Sequence, residues 1–252
     1  MVVKPSELSV QKKLFNKLES IHTESFYINY QNYWNKNILD SVFHKRNSFV
    51  LDCGCGIGKM LTTLSQSYDR VYGLDLSADM IGANSKDKEN VKLVRGDMQG
   101  MGFKDESFDL VICKGSLHHL AAPAEAIGEI HRILKKGGLF IISEPCRDNA
   151  IWRAIGCLYV NISKNFSSQH CVFNLSSLKE MLRQNSFEVQ RICRFGFLGF
   201  PLCGIAHQFP LMKFIPFSDF FSRILISIDD IFVKLPLIKN FSWHIIIHSR
   251  KV

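Results

Sequence analysis

Apolar residues in the first 146 positions follow two alternating rhythms. Short apolar runs stand at Ser48 to Asp52, Arg70 to Asp75, Val91 to Arg95, Phe108 to Cys113 and Leu139 to Glu144, with segments of helical period between them. A strand buried on both faces reads as a nearly unbroken apolar run, whereas a covering helix repeats its apolar residues every three or four positions. The alternation predicts a parallel sheet covered by helices. The helix ahead of the fifth run is the best marked. Pro123 stands at a first helical position, Ile127, Ile130, Ile133 and Leu134 share a face, and Lys135, Lys136 and Gly137 are expected to close it.

Two stretches before the first strand have helical spacing, Leu8 to Lys17 and Tyr30 to Phe43. The second carries Tyr30, Tyr33 and Trp34, and a helix with so little core of its own must lie on something. Either these rings pack, or Tyr30 and Tyr33 edge a ligand pocket. After Glu144 the alternation weakens, then returns as a helix at Leu175 to Leu182 and strands at Phe187 to Phe195 and Phe241 to His248. Between these strands lies an apolar insertion, about Gly196 to Asn240. Its stretch Phe195 to Met212 has no Lys, Arg, Asp or Glu, but two prolines, His207 and Gln208 interrupt it, which makes a poor transmembrane span. Further on, Phe221, Ile224, Leu225, Ile228, Phe232 and Leu235 recur at helical spacing among Ser222, Arg223, Asp229, Asp230 and Lys234, which predicts an amphipathic helix.

The expected architecture is therefore a single α/β domain over residues 1–252. A helical cap at 1–46 precedes a Rossmann-like, doubly wound core at 47–195 and 241–252, with seven mostly parallel strands and helices on both faces. The insertion at 196–240 extends the core, forms a lid over a pocket, or touches a membrane as a peripheral contact.

Composition leaves this picture intact, since 46% hydrophobic and 21% charged residues are close to globular averages and exclude fibrous and disordered classes. Charge adds an asymmetry. Residues 1–146 hold 18 Lys and Arg against 17 Asp and Glu, while residues 147–252 hold 13 against 6, so the second part carries +7 of the net +8. That suits an anionic partner, whether membrane surface, nucleic acid or acidic substrate, or else a solvated surface with no partner. No run of like charge resembles a nucleic-acid arm. Eight cysteines behind an N-terminus, MVVKPSELSVQKK, that lacks an apolar leader point to a reducing cytoplasm. Cys53 and Cys55 have no second pair at finger spacing, so no metal is expected.

The chemistry concentrates in Val50-Leu51-Asp52-Cys53-Gly54-Cys55-Gly56-Ile57-Gly58-Lys59, a strand running into alternating glycines and then a helix. Glycines at 54, 56 and 58 permit a tight turn and a ligand close to the backbone, at the strand end where open α/β sheets bind ligands. A dinucleotide fingerprint would need glycine at 59 and meets Lys59 instead. Asp52, two residues before the first glycine, would repel pyrophosphate and suits a cationic ligand such as S-adenosylmethionine, which carries an ammonium and a sulfonium. Asp75 closes the second strand where a carboxylate can accept from a ribose diol, and Gly96-Asp97-Met98 ends the third, where Asp97 can accept from an adenine amine while Met98 packs on the ring.

With these residues the sequence resembles class I S-adenosylmethionine-dependent methyltransferases, in particular the type 11 subgroup that contains quinone-biosynthesis C-methyltransferases. The resemblance rests on LDCGCGIGK (51–59), GLDLSADMI (73–81), GDM (96–98), SFDLVICKGSLHHL (107–120) and EIHRILKKGGLFIISEP (129–145), and covers about residues 45–146 densely. It implies that Asp52, Gly54, Cys55, Gly56 and Gly58 surround the methionine part of S-adenosyl-L-methionine. Asp75 would hold the ribose, Gly96, Asp97 and Met98 the adenine, and Leu76 and Met80 belong to the same cofactor-binding set. Lys114 and Gly115 would wall the sulfonium, with the Lys114 side chain turned away because a cation there is unhelpful. Tyr30 and Tyr33 complete the expected cofactor set. His119 is a candidate general base, with a packing histidine as the alternative, and His118 is read as structural. Glu144 and His170 fall where relatives contact substrate and are the remaining catalytic candidates.

The expected function is methyl transfer to a small, lipophilic acceptor. Alternatives are a non-catalytic scaffold that binds the cofactor, or an RNA or tRNA methyltransferase. Against the latter, no Asn-Pro-Pro-Tyr-type motif follows Asp109 to Cys113, and no stacking platform is evident. The acceptor atom, carbon, oxygen or nitrogen, stays open, as does the oligomeric state.

Overall fold

In the computed structural model, which describes residues 23–42, 45–83, 88–146, 148, 173–204, 210–236 and 238–252, each apolar run becomes a strand of one sheet. The strands are β1 (Phe49–Cys53), β2 (Arg70–Asp75), β3 (Val91–Arg95), β4 (Phe108–Lys114), β5 (Leu134–Pro145), β6 (Phe187–Phe195) and β7 (His244–Lys251). Their order is β3-β2-β1-β4-β5-β7-β6, with β1 to β5 parallel and β7 antiparallel between β5 and β6. This is the expected Rossmann-like, mostly parallel seven-stranded sheet. The strand order reverses between β1 and β4, which opens a crevice at their carboxyl ends.

Alternate residues of the central strands feed two cores, as the period of two requires. Val50, Ile112, Ile141 and Ile246 face α1 (Ser25–Leu39) and α2 (Lys59–Ser67). Leu51, Val111, Ile142 and Ile247 face α4 (Pro123–Ile133) and α5 (Leu175–Gln184). A short α3 (Ala78–Ala83) follows β2. In α4, Ala126, Ile127, Ile130 and Ile133 are all fully buried. Each such isoleucine contributes roughly 1.5–3 kcal/mol of transfer free energy.

Several boundaries differ from the sequence expectation. Helix α1 starts at Ser25 rather than Tyr30 and ends at Leu39, because Asp40 is extended and Ser41 takes a positive φ of 66°. Lys135, Lys136 and Gly137 do not close α4. The helix stops at Ile133, and Leu134 already pairs with Phe108, after which a register irregularity between Phe108 and Leu110 absorbs the extra residues. The last strand begins at His244, since Phe241 ends a 3₁₀ turn, Ile238–Phe241. The helix expected at Leu8 to Lys17 lies outside the described residues.

The insertion holds a π-helical turn (Phe200–Gly204), a 3₁₀ turn (Pro210–Phe214) and α6 (Ser218–Phe232). Helix α6 lies along α1 through polar groups. Asn29 Nδ2 donates to Asp219 Oδ1 (2.7 Å) and Ser222 Oγ (3.0 Å), Tyr30 Oη to Asp229 Oδ2 (2.8 Å) and Tyr33 Oη to Asp230 Oδ1 (2.8 Å). Asp229 is fully buried and also accepts the backbone N–H groups of Phe197, Leu198 and Gly199. Burial raises its pKa, and these four donors oppose the rise. Glycine is required at 199, where a Cβ would stand 2.6 Å from Tyr30 Cε2.

Candidate active site

Asp52 sits one residue before the end of β1, almost wholly buried, and its Oδ2 has no hydrogen-bond partner. Its pKa is pushed up to about 7, first by burial and then by the Asp75 charge, while Lys114 opposes the rise. Gly54 N and Cys55 N both donate to Leu74 O (2.7 and 3.0 Å), which fastens the glycine turn to β2. A Cβ on Gly54 would stand 2.4 Å from Ser116 Cβ and 3.1 Å from Met98 Cε, so only glycine lets the β1, β3 and β4 loops meet. Gly56 is different. Its φ is 51° and the space beside its α-carbon is open, leaving room against the turn. Gly58, at φ 77°, then delivers the chain into α2.

Asp75 ties the rim together. Gly56 N donates to its Oδ2 (2.8 Å) and Ser77 N to its Oδ1 (2.9 Å), while Gly96 N donates to its carbonyl (3.0 Å). Each carboxylate oxygen keeps a second acceptor direction, so these bonds position the group without exhausting it. Asp97 Oδ1 accepts from Gln99 N (2.9 Å) in the same manner. Leu76 is exposed and Met80 is buried below it. The structure thus gathers Asp52, Gly54, Gly56, Asp75, Gly96 and Met98 along one rim at the sheet's carboxyl end.

Lys114 turns to α1. Its Nζ donates to Gln31 Oε1 (2.8 Å) and Asn35 Oδ1 (2.6 Å) and lies 4.3 Å from the Trp34 ring centroid. Burial lowers its pKa to about 7; Asp52 opposes this and Lys59 adds to it. Asn35 also reaches Lys59 O (3.2 Å) and Thr63 Oγ1 (2.8 Å), and Trp34 Nε1 donates to Ser143 Oγ (2.9 Å). The sequence expectation missed Gln31 and Asn35, whose signal was an amide pair four apart on one helix face. Tyr30 and Tyr33, expected as cofactor contacts, turn their hydroxyls to α6. Tyr30 is fully buried, and both hydroxyls are committed to aspartates of α6, so the two rings anchor the insertion.

The loop after β4 holds the histidines. Gly115, at φ 64°, donates its N–H to Ser143 O (2.8 Å). Glu144, a catalytic candidate from the sequence, is fully buried. Its Oε1 accepts from Ser116 N (2.9 Å) and Leu117 N (2.8 Å), and its Oε2 lies 2.6 Å from His118 Nδ1. A carboxylate on Nδ1 fixes an imidazole's orientation and assigns ligand proton exchange to Nε2. The His118 ring folds back so that its Cε1 is 3.9 Å from where a Cβ on Gly115 would stand. His119 is exposed, and its ring lies tilted on that of His118 with centroids 4.0 Å apart. His170 lies outside the described residues. One further histidine emerges only in the structure. His244 is buried at the start of β7, its Nδ1 without a partner, its ring 4.7 Å from Trp34 and 4.4 Å from Phe200. Burial drives its pKa well below the usual value, helped by His118 and Lys114.

Residues 51–142 match the model of a methyltransferase-domain family. Over that span the chain is similar to that family's methyltransferase domain. A demethylmenaquinone methyltransferase of Staphylococcus epidermidis is 32% identical over 133 residues, 50% of this chain and 55% of that one. The chain thus spans about half the length of the curated relatives it matches. Among solved structures, a methyltransferase bound to its activator protein, from Haloferax volcanii, superposes with a TM-score of 0.64 at 18% identity over 93% of this chain and 96% of its own. Geranyl diphosphate C-methyltransferase from Streptomyces coelicolor gives 0.61 at 13% identity over 88% and 79%. These two likenesses show the fold. The cofactor of this methyltransferase class is S-adenosyl-L-methionine, and the site fits it, since a buried carboxylate oxygen without a partner beside an open glycine turn suits a cationic ligand.

Proposed function

We propose that the protein transfers a methyl group from S-adenosyl-L-methionine to a small, lipophilic acceptor. The observation that carries the transferase reading is Asp52, whose buried Oδ2 has no hydrogen-bond partner among the described residues and suits an ammonium group. The lipophilic acceptor is supported by the names of the relatives, one acting on demethylmenaquinone and one on geranyl diphosphate. When bound, S-adenosyl-L-methionine supplies a methyl carbon whose bond electrons leave with sulfur, so the chain need provide only alignment, desolvation and a place for the acceptor's proton.

In this reading Asp52 holds the ammonium, Asp75 accepts from the ribose, and Gly96, Asp97 and Met98 border the adenine. Gly115 lines the reacting centre with its backbone, while Lys114 is held off by Gln31 and Asn35. His118, oriented by Glu144, takes the acceptor's proton at Nε2, and His119 beside it is left with an accessory role. The test incubates the protein with methyl-labelled cofactor and fractionated extract of its native host. Label is expected in the organic phase. Label recovered only in RNA or protein contradicts the acceptor class, and failure to bind S-adenosylhomocysteine contradicts the transferase reading itself.

A further inference from the structure

Helix α6 is built inside out. Its two fully buried side chains are Ser222 and Asp229, both engaged in polar contacts with α1 or the turn beside it. Its outer side carries Phe217, Phe220, Phe221, Ile224 and Ile231, all exposed, at intervals of three, one, three and seven that put them on one stripe. The preceding turn continues the patch with Leu211 and Phe214. Exposure reaches 81% at Phe214 and Phe217 and 60% at Phe220. Monomeric soluble surfaces rarely leave this much contiguous apolar area uncovered. Phe217 is moreover held at a φ of 57°, an unusual conformation for a bulky residue, which presents it at the helix start.

Charge indicates what covers this face. The segment's acids turn to α1: Asp229 to Tyr30, Asp230 to Tyr33, and Asp219 to Asn29 and, along the helix, to Arg223. Of its bases, Lys213 lies 4.0 Å from Glu24 and Arg223 3.2 Å from Asp219, while Lys234 follows the helix, in a part of the chain with 13 Lys and Arg against 6 Asp and Glu. An apolar aromatic stripe in so basic a part of the chain matches the boundary between acyl chains and anionic headgroups. Among the described residues no helix is long and apolar enough to cross a membrane, so a stripe on this fifteen-residue helix suits lying in the plane of the surface.

We propose that the outer face of α6 and the turn before it dock on an anionic lipid bilayer, with Phe214, Phe217 and Phe220 inserted below the headgroups. For a lipophilic acceptor this would place the enzyme where its substrate dissolves, a consequence that rests on the function proposed above. The test is co-sedimentation of the full chain with vesicles of phosphatidylcholine and phosphatidylglycerol, against phosphatidylcholine alone. Binding is expected to the anionic vesicles, to weaken with salt, and to fall at least about tenfold in a Phe214→Ser, Phe217→Ser, Phe220→Ser variant. Ile231→Ser, at the far end of the stripe, provides a second and milder variant. Both are expected to keep wild-type affinity for S-adenosylhomocysteine, so the docking result stands apart from the transferase reading. Absence of vesicle binding, or binding unchanged in both variants, overturns the proposal. So does a dimer in light scattering that the triple variant abolishes while vesicles bind neither form, which would assign the face to a second copy of the chain.

Discussion

Helices α4 and α6 carry equally marked apolar stripes and treat them in opposite ways. Helix α4 turns Ala126, Ile127, Ile130 and Ile133 wholly into the sheet, whereas α6 turns Ser222 and Asp229 inward and leaves Phe220, Phe221, Ile224 and Ile231 outside. The difference lies in what each helix meets. Opposite the apolar stripe of α4 stand Phe140, Ile142 and Phe187. Opposite α6 stand Asn29, Tyr30 and Tyr33, whose side chains supply matched donors. Periodicity defines a face; the neighbour decides whether that face goes in.

The largest expected effect sharpens this contrast. Ile130→Ala in α4 should lower the stability measured by urea unfolding by about 2–5 kcal/mol, through lost transfer energy and a cavity. Phe220→Ala in α6 should change it by less than about 0.5 kcal/mol, as for an exposed site. Comparable losses at the two positions would show that α6 packs its apolar side after all.

The same contrast recurs between two adjacent residues. His118 Nδ1 lies 2.6 Å from a buried carboxylate, and His119 is exposed beside it. His118→Ala is expected to lower kcat about a hundredfold or more at nearly unchanged cofactor affinity, with a much smaller loss for His119→Ala, judged by steady-state kinetics. Equal losses would make both rings part of the pocket wall. Smaller again is the effect of Asp229→Asn, which replaces one of the two oxygens that accept from Tyr30 and three backbone N–H groups with a donor, so that two of the four donors lose their acceptor. It should cost about 1–3 kcal/mol and loosen the insertion, seen as faster amide exchange at residues 197–199, while binding of S-adenosylhomocysteine persists.

Much of the sheet and of the turns at its carboxyl end was legible in the sequence, because both depend on local signals. Asp52, Asp75 and Asp97 each end an apolar run, and the glycines between 54 and 58 announce a turn. Other contacts depend on what lies opposite. Tyr30 lies in an expected helix, but nothing near it in sequence reveals Asp229 nearly two hundred residues on. Glu144 was correctly placed at a strand end, yet a carboxylate there can face a ligand or bind backbone, and Ser116, Leu117 and His118 claim it. His244 gave no signal, being one histidine at the start of an apolar strand.

The central claim is that Asp52 awaits a cationic ligand, and its ionisation provides the most direct test. With its pKa raised to about 7, the free protein keeps this carboxyl largely protonated below neutrality, whereas pairing with an ammonium needs the carboxylate. Lys114, with its pKa lowered to about 7, sheds its charge over the same range and works in the same direction. For the ligand-free fold the signs are opposite. The raised acid loses stability as pH climbs from about 4 to about 7, and the lowered base regains it above about 7, so Asp52→Asn is expected to stabilise the free protein near neutrality. The decisive measurement is calorimetric titration of S-adenosylhomocysteine into wild type and Asp52→Asn at about pH 6 and about pH 8. Wild-type affinity should rise up to about tenfold across that interval, and the folded variant should bind weakly with little slope. An Asp52→Asn protein that binds as tightly as wild type, with the same dependence on pH, would contradict the account.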